Sequence, residues 1–203
     1  MNIELYKAGM KYKDSQIFSD LSFLAGAGDR LALVSSDYKS LTMTLQAMLG
    51  MRRLCSGWAS IDGEPVLPSV AACYRRYISY LPNNIDFEDI TLEQLAKSIL
   101  TGDSKYSSKE AERHLQLLGV ETDCLHRAFA SIDASTAKRA ALAVTVMDGR
   151  SIALLDNPTS QQDEAGSRLV ADYLASSLFD DVAVVIATSD PIVTAVCNKK
   201  QNI

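Results

Sequence analysis

Apolar residues never run uninterrupted through this sequence for the ~18 positions that a bilayer-spanning helix needs. Cysteine is sparse. Cys55, Cys73, Cys124 and Cys197 lie far apart, with no C-x-x-C pair and no histidine close by, which argues against a disulfide framework or a zinc site and for reduced thiols. The two histidines, His114 and His126, have no neighbour suited to a catalytic pair and read as structural or surface residues. A basic excess is missing too: 20 Lys and Arg face 25 Asp and Glu, a net charge of −5, which argues against a nucleic-acid partner. The segment Met1–Lys7 has neither the basic nor the apolar region of a signal peptide, so the expected location is cytoplasmic, with room for a peripheral place at the inner face of a membrane. No repeat, linker or low-complexity stretch interrupts the chain.

What is present is an ordinary globular composition, 47% hydrophobic and 22% charged over 203 residues, enough for one domain with its own core. Alternation marks strands at Ile3–Tyr6 and Phe18–Leu24. Arg30–Val34, Ser151–Leu155 and Val182–Ala187 are near-continuous apolar runs, the signature of strands buried on both faces of a parallel sheet. Gly57–Gly63 and Tyr77–Leu81 read as further strands, the last ended by Pro82. Helical spacing follows the first buried strand, through Leu41, Leu45, Met48 and Leu49 to Gly50. It returns from Thr91 to about Leu118, where Thr91/Gln94 and Ser107/Glu110 have capping-box spacing and Gly119 supplies a stop. Further helices are expected over Ala134–Met147 and about Glu164–Leu178. The fold class is therefore α/β: a mainly parallel central sheet, a small N-terminal antiparallel part, and a helical insert at about 88–133 within a single domain, 1–203.

Ligands of such sheets bind beyond the carboxyl ends of the strands, which singles out the loops at Ser35–Thr42, Asp156–Ser160 and Thr188–Asp190. A loop between a buried strand and a helix N-terminus is an anion site in principle, because free N–H groups and the helix dipole face it. Thr42 and Asp156 together could hold magnesium. Alternatively, Asp156 caps the turn Asn157-Pro158-Thr159 without any metal.

These pieces, taken with their order and spacing over about residues 2–195, resemble the ATP-binding subunit of ABC transporters. Gly28-Asp29-Arg30-Leu31-Ala32-Leu33-Val34 with Leu45–Gly50 looks like the phosphate-loop region. Ser56-Gly57 with Ile61-Asp62-Gly63, then Tyr80-Leu81-Pro82-Asn83, fit the approach to the glutamine loop. Leu154–Ser160 looks like Walker B running into Glu-Pro-Thr, and Ile186–Asp190 like the Thr-His-Asp switch. The resemblance implies a P-loop NTPase-like fold, Tyr12 at the adenine-stacking position, and Thr42 and Asp156 as magnesium ligands.

The sequence departs from that pattern at most chemical stations. In G-x-x-x-x-G-K-[ST] the glycines let backbone wrap phosphate and the Lys reaches the β- and γ-phosphates. Here those positions are Ser35, Ser40 and Leu41, with Lys39 two places early and Asp37 bringing a negative charge; left-handed backbone at the two serines would cost roughly 1–2 kcal/mol each. The signature Leu-Ser-Gly-Gly-Gln becomes Ile132-Asp133-Ala134-Ser135-Thr136. The magnesium-sensing glutamine is Asn83, the catalytic glutamate Asn157, and the switch histidine Ser189. Loss of a general base alone removes about 10²–10⁴ in rate. The resemblance therefore implies a degenerate subunit, with ATP and magnesium binding weak or absent, acting in binding, regulation or assembly. It implies as partners a second copy or another ABC ATPase, and a membrane permease. Two other readings are a working ATPase with an unconventional loop, in which Thr42, Asp156 and Asp163 remain, and a structural homodimer without nucleotide. On this reading Leu41→Lys with Ser35→Gly and Ser40→Gly restores the cradle.

Overall fold

The structure is a computed structural model that describes residues 1–13, 15–85, 90–100 and 106–203. Strands β1 (Ile3–Tyr12), β2 (Ser15–Ala25), β4 (Ser56–Ile61) and β5 (Glu64–Pro65) form an antiparallel sheet in the order β2-β1-β4-β5. Strands β3 (Arg30–Val34), β6 (Ile78–Leu81), β7 (Ile152–Asp156), β8 (Ala183–Ala187) and β9 (Lys199–Asn202) form a parallel sheet in the order β6-β7-β8-β3-β9.

The three apolar runs are the centre of that sheet, as their composition requires. Their residues alternate between two cores. Leu31, Leu33, Ile152, Leu154 and Val185 face a cluster shared with α1 (Tyr38–Met48) and the antiparallel sheet. Ala153, Leu155, Val184 and Ile186 face the other, formed with α3 (Leu92–Ile99), α4 (Ser108–Leu117), α5 (Ala134–Val146) and α6 (Glu164–Ala175). Fully burying a Leu, Ile or Val side chain contributes roughly 1.5–3 kcal/mol, so both faces hold the sheet in place.

Two short α-helices are also present, α2 (Ala71–Arg75) and α7 (Pro191–Ala195). Gly50 ends α1 at φ +66, where its missing side chain leaves room for Ala71 and Val66. Gly119 stops α4 in the same left-handed conformation. The helical stretch read as reaching from Thr91 to Leu118 is two helices, separated at Leu100, with 101–105 outside the described residues. Thr91 and Gln94 form the full capping box, whereas at α4 Ser107 accepts from the Glu110 N–H. The expected helix to Leu178 ends at Ala175 and is followed by a 3₁₀ turn at Ser177–Phe179. Strand β9 has no counterpart in the sequence reading. Lys199-Lys200-Gln201-Asn202 carries no apolar pattern, and pairing with the edge of β3, from Leu31↔Lys199 to Val34↔Asn202, makes it a strand.

Parallel register sets the site. Leu33 and Asp156 both pair with Ala187, and Leu81 pairs with Leu155, so the segments after β3, β6, β7 and β8 emerge side by side at one edge of the sheet.

Candidate functional site

At that edge the segment after β3 is a tight turn, Ser35–Asp37, and α1 begins at Tyr38. Asp37 is extended (φ −104, ψ 101) and its carboxylate accepts from the Lys39 N–H at 3.0 Å. Ser40 donates its N–H to the Asp37 carbonyl at 3.1 Å, and its hydroxyl to the same carbonyl at 2.7 Å. The N–H groups and dipole that would face an anion are thus answered by a carboxylate of the chain itself. No residue from 35 to 42 has positive φ, so the strain anticipated at Ser35 and Ser40 is absent. Leu41 is fully buried against the core beneath α1, and so does not occupy the place of a phosphate-reaching lysine.

Lys39, two residues before Leu41, sets its ammonium 3.9 Å from the centre of the Tyr12 ring. Arg52 lies 5.7 Å from the same ring. Tyr12, Lys39, Thr42, Gln46, Arg52 and Asn83 line a cleft of about 230 Å³. The ring's face, where a base would stack, is already covered by a cation.

The other stations bond to one another. The Ser189 hydroxyl donates to the Ser35 carbonyl at 3.1 Å. Asn157 has left-handed backbone, φ 51, donates its N–H to Ala187 O, and reaches the Asn83 side chain with its amide. In the 132–136 segment, Asp133 caps α5 by accepting from the Thr136 N–H at 2.9 Å, a bond that holds its carboxyl below the usual range. Ser135 donates to Gln162 at 3.0 Å, and Arg139 donates to both. Ala134 and Ile132 line a larger cleft of about 800 Å³ with Asn83 and Asn157. Asp163 caps α6 through the Gly166 N–H, in a place apart from this cleft. His114 is buried, its Nδ1 2.5 Å from the Tyr173 hydroxyl.

Asp156 is the exception. It is 1% exposed and neither carboxylate oxygen has a hydrogen-bond partner, so the alternative reading of it as a turn cap is corrected. Burial drives its carboxyl above the usual range, only partly offset by the Thr42 hydroxyl, the Lys138 charge and the Asn83 backbone. Lys138 was not singled out by the sequence, although a lysine among the buried alanines of α5 is itself a signal. It is 4% exposed and donates to Pro82 O at 2.9 Å, Asn83 O at 2.8 Å and Asp156 O at 3.4 Å. Burial pushes its ammonium down to about 8, against the attraction of Asp156. Arg139 and Gln162 likewise emerged only in three dimensions.

The comparisons bear on the fold and on the relatives of the chain. The chain superposes on a solved dimeric bacterial ABC transporter cassette, MJ0796, with a TM-score of 0.83 at 16% identity, covering 99% of this chain and 94% of that one. It has the ABC ATPase fold. A second solved cassette, cbiO1 of Clostridium perfringens, gives a TM-score of 0.78 at 18% identity over 98% of this chain and 83% of that one. In sequence, ABC transporter ATP-binding proteins are again the relatives. The cytochrome c biogenesis ATP-binding export protein CcmA of Rhizobium meliloti is 26% identical over 87% of this chain and 85% of its own length. The ABC transporter ATP-binding protein YhcH of Bacillus subtilis is 22% identical over 92% of this chain, which spans 61% of that protein. ATP-binding cassette sub-family B member 6 of Mus musculus is 26% identical over 91% of this chain and 23% of its own length. No family model matches the chain.

Set against the groups that an ABC ATPase holds, the residues divide. Thr42 and Asp156 fit magnesium: an orphaned, buried carboxylate and a hydroxyl are two hard oxygen donors. The Ser35–Leu41 segment does not fit a triphosphate, since its helix N-terminus is capped and its lysine position is in the core. Among the described residues no helix is long and apolar enough to cross a membrane.

Proposed function

We propose that this chain is a degenerate ABC-type ATP-binding subunit that neither grips nor hydrolyses ATP and serves as a binding or assembly module of a transporter-like complex, peripheral to a membrane on its cytoplasmic side. One observation carries this reading: the Asp37 carboxylate occupies the helix terminus that a phosphate would need, while Leu41 packs beneath it. Asp133 repeats the arrangement at α5, the helix whose N-terminus the family turns towards a partner's nucleotide. Both halves of a composite nucleotide site are therefore closed by carboxylates, which favours a role in assembly. The partners proposed are a second copy or another ABC ATPase, together with a membrane permease. Solved neighbours include the dimeric cassette MJ0796 and cbiO1, part of the ABC transporter complex cbiONQ.

A thermal-shift titration with ATP–magnesium against magnesium alone tests this. A ligand at 100 times its Kd stabilises by about 2.7 kcal/mol. The expectation is no added stabilisation from ATP at millimolar concentration; a clear rise would overturn the proposal.

A second reading, an ATPase with an unconventional loop, is favoured by the unpartnered Asp156 beside Thr42. It requires magnesium-dependent phosphate release that scales with protein and disappears in Asp156→Asn. A third, a structural homodimer without nucleotide, would show as a dimer in nucleotide-free solution.

A further inference from the structure

Across Arg52 from the Tyr12 cleft lies a separate groove of about 440 Å³. Ala59 and Val66 are its buried floor, and Leu54, Trp58 and Leu67 its walls. Trp58 and Leu67 are 47% and 55% exposed, high values for large apolar side chains on a monomer's surface. Trp58 lies against the Tyr6 ring, with ring centres 4.7 Å apart and planes tilted by 34°. Pro65 at the end of β5 and Pro68 beyond it fix the backbone φ along this side of the groove.

Two further features say what would fill it. First, Arg52 and Arg53 stand at the rim, and among the described residues no Asp or Glu lines the groove. The surrounding segment from Met51 to Tyr77 carries Arg52, Arg53, Arg75 and Arg76 against only Asp62 and Glu64, in a chain whose net charge is −5. Second, β5 pairs with β4 only at Ser60 and Ile61, with one added bond from the Val66 N–H to Ala59 O. The part of β4 beside Trp58, from Ser56 on, lies beyond that pairing.

We propose that this groove docks a polypeptide segment of a partner protein, one that places a bulky apolar residue between Trp58 and Leu67 and a flanking carboxylate on the exposed Arg53, with Arg52 adding positive charge at the rim. A concave apolar slot with a cationic rim suits an acidic, apolar-anchored peptide. It suits a lipid surface less well, because the apolar residues line a recess and the Arg52 guanidinium is held inward by Gln46 at 2.5 Å. The inference is independent of whether the chain binds nucleotide.

Trp58 is the only tryptophan, so its emission reports occupancy directly. A random-peptide display library is panned on the whole protein, and the most enriched sequence is synthesised and titrated. The expected sequences combine Asp or Glu with Leu, Phe or Trp, and the peptide shifts Trp58 emission to the blue. Arg53→Glu should weaken binding by roughly tenfold or more, and Leu67→Asp should abolish it. Both side chains are exposed, so each variant should keep the parent's circular dichroism and melting temperature. The proposal is overturned if no peptide is enriched, if the enriched peptides are basic or neutral, or if binding survives both substitutions. It is equally overturned if only anionic phosphatidylserine vesicles shift the emission.

Discussion

The Asn157 side-chain amide donates to the Asn83 amide oxygen at 3.2 Å, tying the end of β7 to the segment after β6. Where the resemblance places a catalytic glutamate and a magnesium-sensing glutamine, this chain has two amides joined by a single hydrogen bond. An amide accepts no proton at neutral pH, so neither side chain can serve as a general base, and the bond between them is a structural tie. Ser189 with Ser35, Asp37 with Lys39 and Asp133 with Thr136 follow the same logic.

Restoring the phosphate loop should fail through the fold. Leu41 is fully buried, so Leu41→Lys, alone or with Ser35→Gly and Ser40→Gly, forces an ammonium into the core beneath α1. The loss should at least equal that of truncating a buried leucine, about 2–5 kcal/mol. A denaturant titration with an unchanged midpoint would show that Leu41 can turn outward.

Asp156→Asn should stabilise the chain. The substitution removes a buried charge whose oxygens lack partners and whose ionisation burial opposes. Magnesium should raise the melting temperature of the parent but not of the variant, since it is the carboxylate that would hold the ion. Equal magnesium effects on both proteins would place the ion elsewhere.

Asn157→Glu should cost stability and confer no ATPase activity. Residue 157 sits at φ 51, where asparagine is tolerated and glutamate meets a penalty of roughly 1–2 kcal/mol. It would also break the bond to Asn83. Asn157→Gly, free of the backbone penalty, should lose less; the two variants are compared by urea midpoint.

His114 should make stability fall in mild acid. Burial, countered by Glu110 and reinforced by Arg113, lowers its pKa from the ordinary 6.5, and its Nδ1 faces the Tyr173 hydroxyl. The folded state therefore binds the proton less readily than the unfolded one. The contribution is complete above pH 6.5 and is lost as pH drops below it towards the depressed value. The parent's denaturation midpoint should decline over that range, and His114→Gln should flatten the decline.

Much of the fold was legible along the chain because the parallel sheet is buried on both faces. Arg30–Val34, Ile152–Asp156 and Ala183–Ala187 had to be nearly all apolar, and that is a local signal. Caps and stops were local as well: Thr91, Asp133, Gly50 and Gly119 act through bonds within a few residues. Strand β9 was illegible, since Lys199–Asn202 becomes a strand only by lending hydrogen bonds to β3.

The candidate site divides along the same line. Sequence alone determined that the positions the resemblance assigns to the phosphate loop hold Ser35, Ser40 and Leu41, because residue type and spacing are all that statement needs. Only the tertiary structure decided what those residues do instead: Asp37 caps α1, Leu41 joins the core, Lys39 covers Tyr12, and Lys138 gathers three carbonyls beside a solitary Asp156. The reason is physical. The cap at Asp37 is local, but the burial of Leu41, the Lys39–Tyr12 contact and the buried charge each depend on groups that are distant in the chain and adjacent only once the sheets have formed.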